Sequence, residues 1–178
     1  ISFYLNVHLT HHILFLFDFL LNLNQNDCQL TKEQCLFIKN KYPKIDYWFM
    51  QFSLAGYYAN KDDRDGLSKA KKFHKSLITE YYKIFKPKVV IPFASFIYFC
   101  KEHNSFLNEW IITIDEIYNE MSEIPWQVLF YNDKLLQKNY HENNLINVKK
   151  WREIFDSKKH IVKHKTQSNE KILEEAQK

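Results

Sequence analysis

The chain has 178 residues, 46% hydrophobic, 17% aromatic and 26% charged, which is the composition of one folded domain rather than a disordered tail. It holds only two glycines, Gly56 and Gly66, which excludes the usual Gly-rich phosphate loop and dinucleotide fingerprint. The net charge of +4 is mild; between Lys149 and Lys165 basic residues outnumber acidic ones by seven to two, a pattern that suits a solvated helix face, and no aromatic-and-basic motif accompanies it to point to nucleic acid.

From the amino end, Ile13 to Leu23 is rich in Phe, Leu and Ile and predicts a buried strand that delivers an Asn-rich loop holding Asp27. Thr31-Lys-Glu-Gln34 is a capping box, opening a helix that runs to about Lys41, before Pro43. Ile45 to Phe52 predicts a second strand, and Ser53 to Gly66, with both glycines and an Asn-Lys-Asp-Asp cluster, a surface loop. From Leu67, apolar residues at Phe73, Leu77, Tyr81, Ile84 and Phe85 recur at helical spacing until Lys86, where Pro87 ends the helix. Lys88 to Ile91 is a short buried strand, limited by Pro92. Helix near Thr113 to Met121, strand at Trp126 to Tyr131 and helix at Leu145 to Phe155 follow, and from His160 the reading expects a polar, detached helix. Strands alternating with helices predict an α/β fold, whose binding residues gather beyond the carboxyl ends of the strands.

Cys28, Cys35 and Cys100 form no CxxC pair and leave one over if two were bridged, which fits a reducing, cytoplasmic compartment. The longest apolar run, Ile13 to Leu21, is interrupted by Asp18 and falls well short of the ~20 residues that span a bilayer, so no membrane partner is expected. The first residue is Ile1 rather than Met, from which a fragment or a processed product is expected.

Hydrolytic metal sites need imidazoles and carboxylates that converge with one position open to water. Asp27 fits either a metal ligand or an Asx turn, and His103, beside Lys101 and Glu102, either a ligand or general base or a surface residue. His74, His141, His160 and His164 fall among polar residues and are assigned to solvent. The group His8, His11 and His12 lacks the alternating His-x-His spacing of dinuclear hydrolases. No Gly-x-Ser-x-Gly elbow or Cys beside His supports nucleophilic catalysis.

Three blocks, Asn22-Leu-Asn-Gln-Asn-Asp-Cys28, Asp46-Tyr-Trp-Phe-Met-Gln-Phe-Ser-Leu-Ala-Gly56 and Phe85 to Phe99, resemble in order the second half of metallo-β-lactamase-fold hydrolases. The nearest branch is the sugar-nucleotide hydroxylases acting on CMP-sialic acid and UDP-muramic acid, and the match spans roughly residues 13 to 110. The resemblance implies part of a four-layer αββα sandwich over residues 1–157, a polar tail over 158–178, a zinc or iron ion in intact relatives and a small-molecule substrate such as a sugar nucleotide. It implies that Asp27 is a metal ligand. Lys101-Glu-His-Asn104 stands where the branch usually has His-Glu-Glu-Asn, so Glu102 and Asn104 match, Lys101 replaces a His, and His103 is a displaced candidate ligand. Glu102, Asn104, Ser53 and Ser95 become candidates for contact with substrate or with a metal ligand. The family's His-x-His-x-Asp-His string is absent, which leaves too few ligands for a tight site and implies a truncated or degenerate, weakly active or inactive protein, with the metal itself in doubt. The rival expectation is a non-catalytic module that self-associates through an exposed sheet edge.

Overall fold

A computed structural model describes residues 12–17, 20–25, 29–54, 56–135, 140–157 and 161–163. The chain is α/β: β1 (His12–Phe17), β2 (Leu20–Gln25), α1 (Lys32–Lys41), β3 (Tyr47–Gln51), α2 (Arg64–Phe85), β4 (Val89–Phe93), a 3-10 turn at Ser105–Glu109, α3 (Ile114–Glu120) and α4 (Tyr140–Ser157). One sheet carries the strands in the order β1-β2-β3-β4. β1 and β2 are antiparallel, while β2, β3 and β4 run parallel. The single strand expected over Ile13 to Leu23 is instead a hairpin, with Phe17 opposite Leu20. Two residues separate the strands, the commonest hairpin connection, and one of them is the Asp18 that interrupts the apolar run.

Parallel neighbours need crossovers, and β2-α1-β3 and β3-α2-β4 supply them. Because such crossovers are right-handed and the strand order advances in one direction, both helices fall on the same face of the sheet. The packing agrees: Leu23, Trp48, Met50 and Val90 share one core with Cys35 and Ile38 of α1 and Ile78, Tyr81 and Phe85 of α2. Trp48 is the hub, meeting Phe85 and Tyr81 edge-to-face at 5.7 and 6.4 Å and donating its indole N–H to Gln25 at 3.1 Å. The opposite face carries Tyr47, Val89 and Ile91, also buried, with Leu20, Phe49 and Leu129 against them. Strands apolar on both faces are the mark of a parallel sheet with a layer on each side.

Asp46 ties the amino ends of the three parallel strands together. Its backbone N–H donates to Leu21 O at 2.9 Å and its C=O accepts from Val89 N–H at 3.0 Å. Its carboxylate accepts from Leu21 N–H at 3.0 Å and lies 2.6 Å from Lys88 Nζ. Burial opposes charge on this carboxyl, but the Lys88 ammonium and the Leu21 N–H outweigh it and hold its pKa below the ordinary carboxylate value.

Helix ends follow local chemistry. The Thr31 capping box forms as expected, with Thr31 Oγ accepting from Gln34 N–H and Gln34 Oε1 accepting from Thr31 N–H. The second helix begins earlier than Leu67, because the Asp63 side chain caps it by accepting from Gly66 N–H at 2.9 Å. Gly66 is therefore a helix residue rather than part of the loop, and a side chain there would collide with that carboxylate. At the other end Lys86 takes a left-handed conformation, φ 45°, immediately before Pro87. Between α2 and α3, Lys71 and Lys75 bind Glu116, and Lys75 also binds Glu120, in a half-buried charge cluster.

The expected strand Trp126 to Tyr131 is corrected to an extended segment with one bridge, Val90 to Trp126. Val90 N–H donates to Pro125 O and Gln127 N–H to Val90 O, and the pairing goes no further. Pro92 accounts for the stop: two residues on from Val90, its ring nitrogen sits where the next donor toward this segment would be. The outer side of the segment is read by α4. Asn144 accepts from Val128 N–H at 2.8 Å and donates to Trp126 O at 2.6 Å; Asn147 donates to Val128 O and Trp151 to Leu129 O, both at 2.8 Å. Spacings of three and four residues put all three side chains on one face of α4, so side-chain amides stand in for a fifth strand. The tail is corrected as well: Ile161 to Lys163 is not helical, and Val162 bridges to Lys101. Residues 164–178 lie outside the described residues.

Replacing buried Asn144 by Leu strands Val128 N–H and Trp126 O together, and should lower stability by about 2–3 kcal/mol, whereas exposed Asn143→Ala should change it by less than about 0.5 kcal/mol. Urea unfolding of both variants checks this; equal effects would show that the backbone of the segment is satisfied by other means.

Candidate functional site

With their amino ends tied by Asp46, the parallel strands also finish together. The rows Gln25, Gln51 and Phe93 close β2, β3 and β4, and Gln51 pairs with Phe93. Ser53 and Ser95 follow two residues after that pair, at equivalent places beyond the two strands, and both are buried. Ser95 Oγ accepts from Phe52 N–H at 3.0 Å and Ser53 Oγ from Ile112 N–H at 2.9 Å. Each hydroxyl therefore stitches one chain end to the next piece of backbone. Ala94, between Phe93 and Ser95, sits at φ 54°, a left-handed conformation that costs a non-glycine residue about 1 kcal/mol. That turn brings Ser95 back over β3 and sends the following residues along a cavity.

The segment Lys101 to Asn104 is a turn, reached after six irregular residues that begin at Ser95. Asn104 N–H donates to Lys101 O, and Glu102 N–H donates to Val162 O at 3.1 Å, so the turn is fastened to the 161–163 segment rather than to the sheet. Lys101, Glu102 and His103 are exposed, and Asn104 leads into the 3-10 turn with a buried Oδ1 that has no hydrogen-bond donor. Asp27 lies outside the described residues, directly after β2, as do His8 and His11. Among the described residues no three His, Cys, Asp or Glu side chains converge as a metal site would require. Cys35 and Cys100 are both free thiols; Cys35 is buried, which pushes its thiol up to about 12, and Cys100 is exposed.

His74 is not in solvent. Both ring nitrogens are buried, and burial lowers its pKa against a weaker opposing hydrogen bond with the Gln51 backbone. Its place follows from the spacing of α2: Leu67, His74, Ile78, Tyr81 and Phe85 form one stripe, and its other four members are core residues. Reading His74 by its lysine neighbours in sequence missed that stripe. It brings an imidazole under the end of β3, close to Gln51.

Phe52, Ser95 and the residues after Ser95 form one side of a cavity of about 560 Å³; Ile111 to Asp115 and α4 form the rest. Trp151 and the Asn144–Asn147 pair were also missed by sequence reading; the available signal was two asparagines at i and i+3 in line with Val148, polar residues in an apolar stripe. No known protein family, curated protein or solved structure matches the chain.

Because the folded pKa of His74 is lowered, the unfolded chain binds its proton more readily, and stability must fall as pH drops from about 6.5 toward the folded value. His74→Leu should remove that part of the acid-side loss: the stability difference between pH 7.5 and pH 5.5, from urea unfolding, should be smaller in the variant. An unchanged difference would place the imidazole in contact with water.

Proposed function

We propose that this chain is a metallo-hydrolase-like domain of the metallo-β-lactamase type, carrying the second half of an αββα sandwich, with Asp27 as the metal ligand it contributes. The observation that supports this most is the common edge where β2, β3 and β4 end. The Ser53 and Ser95 turns leave from it and β2 ends there at Gln25, at the strand ends where parallel sheets carry their ligand sites. The burial of Tyr47, Val89 and Ile91 on the face opposite α1 and α2 supports it too, since each sheet of such a sandwich is covered on both faces.

The donor set does not fit a complete zinc or iron site. His103 and Glu102 are exposed on a turn fastened to residues 161–163, and the site would lack the imidazoles that hold a divalent ion tightly. On this reading the chain alone binds metal weakly and turns over substrate poorly, if at all. Ser53 and Ser95 shape the edge through their backbone bonds, while Glu102, His103 and Asn104 form a separate polar lip for a small-molecule substrate of the sugar-nucleotide class. The rival reading, assembly through an open sheet edge, loses support at β4, whose outer side is taken by residues 125–127.

Zinc titrated calorimetrically into protein with Cys28→Ser and Cys100→Ser should bind weakly and saturably, and Asp27→Ala should abolish the binding. Binding indifferent to Asp27, or a stoichiometric metal that survives gel filtration, would contradict the proposal.

A further inference from the structure

The cavity beyond the ends of β3 and β4 is open to solvent along one side and measures about 560 Å³, within the range of small-ligand sites. Its walls are aromatic: Phe52, Phe96, Tyr98, Trp151 and Phe155 all line it. Phe96 and Trp151 stack at 3.9 Å and 19°, Phe52 meets Phe96 edge-on at 5.2 Å, and Tyr98 meets Phe155 edge-on at 5.5 Å. Rings held against one another in this way keep a fixed shape with flat surfaces.

Charge decides the class of occupant. Arg152 and Asp115 both reach the cavity, but the guanidinium lies 3.2 Å from Asp115 and 3.1 Å from Asp156, so the one cation among the lining residues is already matched by carboxylates. An anion would have to compete with two aspartates for it, and a cation would have to displace Arg152 from Asp115. Thr113 also lines the cavity, and its hydroxyl makes no capping bond to α3, which leaves a polar group to orient a guest.

We propose that this cavity is a binding site for an uncharged, flat, largely apolar small molecule, seated between the 95–100 segment and α4. The cavity shares Ser95 with the edge described above, but the proposal does not depend on the metal chemistry proposed there.

N-phenyl-1-naphthylamine, a neutral fluorescent probe, tests the site in the unmodified chain. The probe should bind saturably with one equivalent, and 8-anilinonaphthalene-1-sulfonate, its anionic counterpart, should bind at least tenfold more weakly. In heteronuclear spectra the indole N–H of Trp151 should shift on titration, while that of Trp48, which sits near the amino end of β3 and does not line the cavity, should not. Ile97→Trp, which fills the cavity, should weaken the probe at least tenfold. The indole shifts need no variant, so the test holds even if Ile97→Trp does not fold. Non-saturable binding, equal affinity for the anionic probe, or equal shifts of Trp48 and Trp151 would overturn the proposal. A Trp151 signal that moves with protein concentration before any probe is added would assign the cavity to a second copy of the chain and overturn it equally.

Discussion

The four contacts of Asp46 set the geometry on which everything else rests. A backbone donor, a backbone acceptor and both carboxylate oxygens hold β2, β3 and β4 at one starting line. Parallel strands that start in register also finish in register, so the edge where Gln25, Ser53 and Ser95 emerge is fixed from the opposite side of the sheet. The carboxylate is buried while Lys88 is more than half exposed, which makes the pair a partly solvated clamp rather than an isolated buried charge. Its backbone bonds are what an isolated ion pair would lack, and they give the clamp its direction.

From that starting line the asymmetry of the molecule follows. Two right-handed crossovers place α1 and α2 on the Trp48 face, while the Tyr47 face is buried separately, with Leu20, Phe49 and Leu129 against it. At the β4 edge Pro92 limits the ladder, and Asn144, Asn147 and Trp151 of α4 take over the backbone groups of residues 126–129. A sheet edge is thereby closed without a strand, which removes the template for pairing with other chains that an open edge presents. The same helix then turns Trp151 toward Phe96, so the element that seals the sheet also forms a wall of the cavity.

The parts of this arrangement that were legible in the sequence are those set locally. The Thr31 capping box, the stop at Lys86 before Pro87, and the β3 and β4 strands depend on neighbours within a few residues, and the structure has them there, although β4 runs through Pro92 to Phe93 rather than ending at Ile91. What was misread depends on partners far along the chain. Ile13 to Leu23 looked like one strand because the hairpin is apolar in sequence on either side of its connection, with Asp18 alone interrupting the run from Ile13 to Leu21. Trp126 to Tyr131 has strand composition, yet its hydrogen bonds go to asparagine side chains 16 to 19 residues away. His74 was hidden by lysines adjacent in sequence but on other faces of α2. At the candidate edge, Ser53 and Ser95 were legible as positions after strands; their backbone bonds to Ile112 and Phe52 were not.

The central claim is that the loop holding residue 27 arrives at the same edge as Ser53 and Ser95. A nitroxide attached at Asp27→Cys, with Cys28 and Cys100 replaced by Ser and the buried, unreactive Cys35 left in place, tests it by paramagnetic broadening of backbone amides. The account predicts that Ser53 and Ser95 broaden, while residues 44–46 at the opposite ends of the strands stay sharp. Broadening at residues 44–46 with Ser53 and Ser95 unaffected would contradict it.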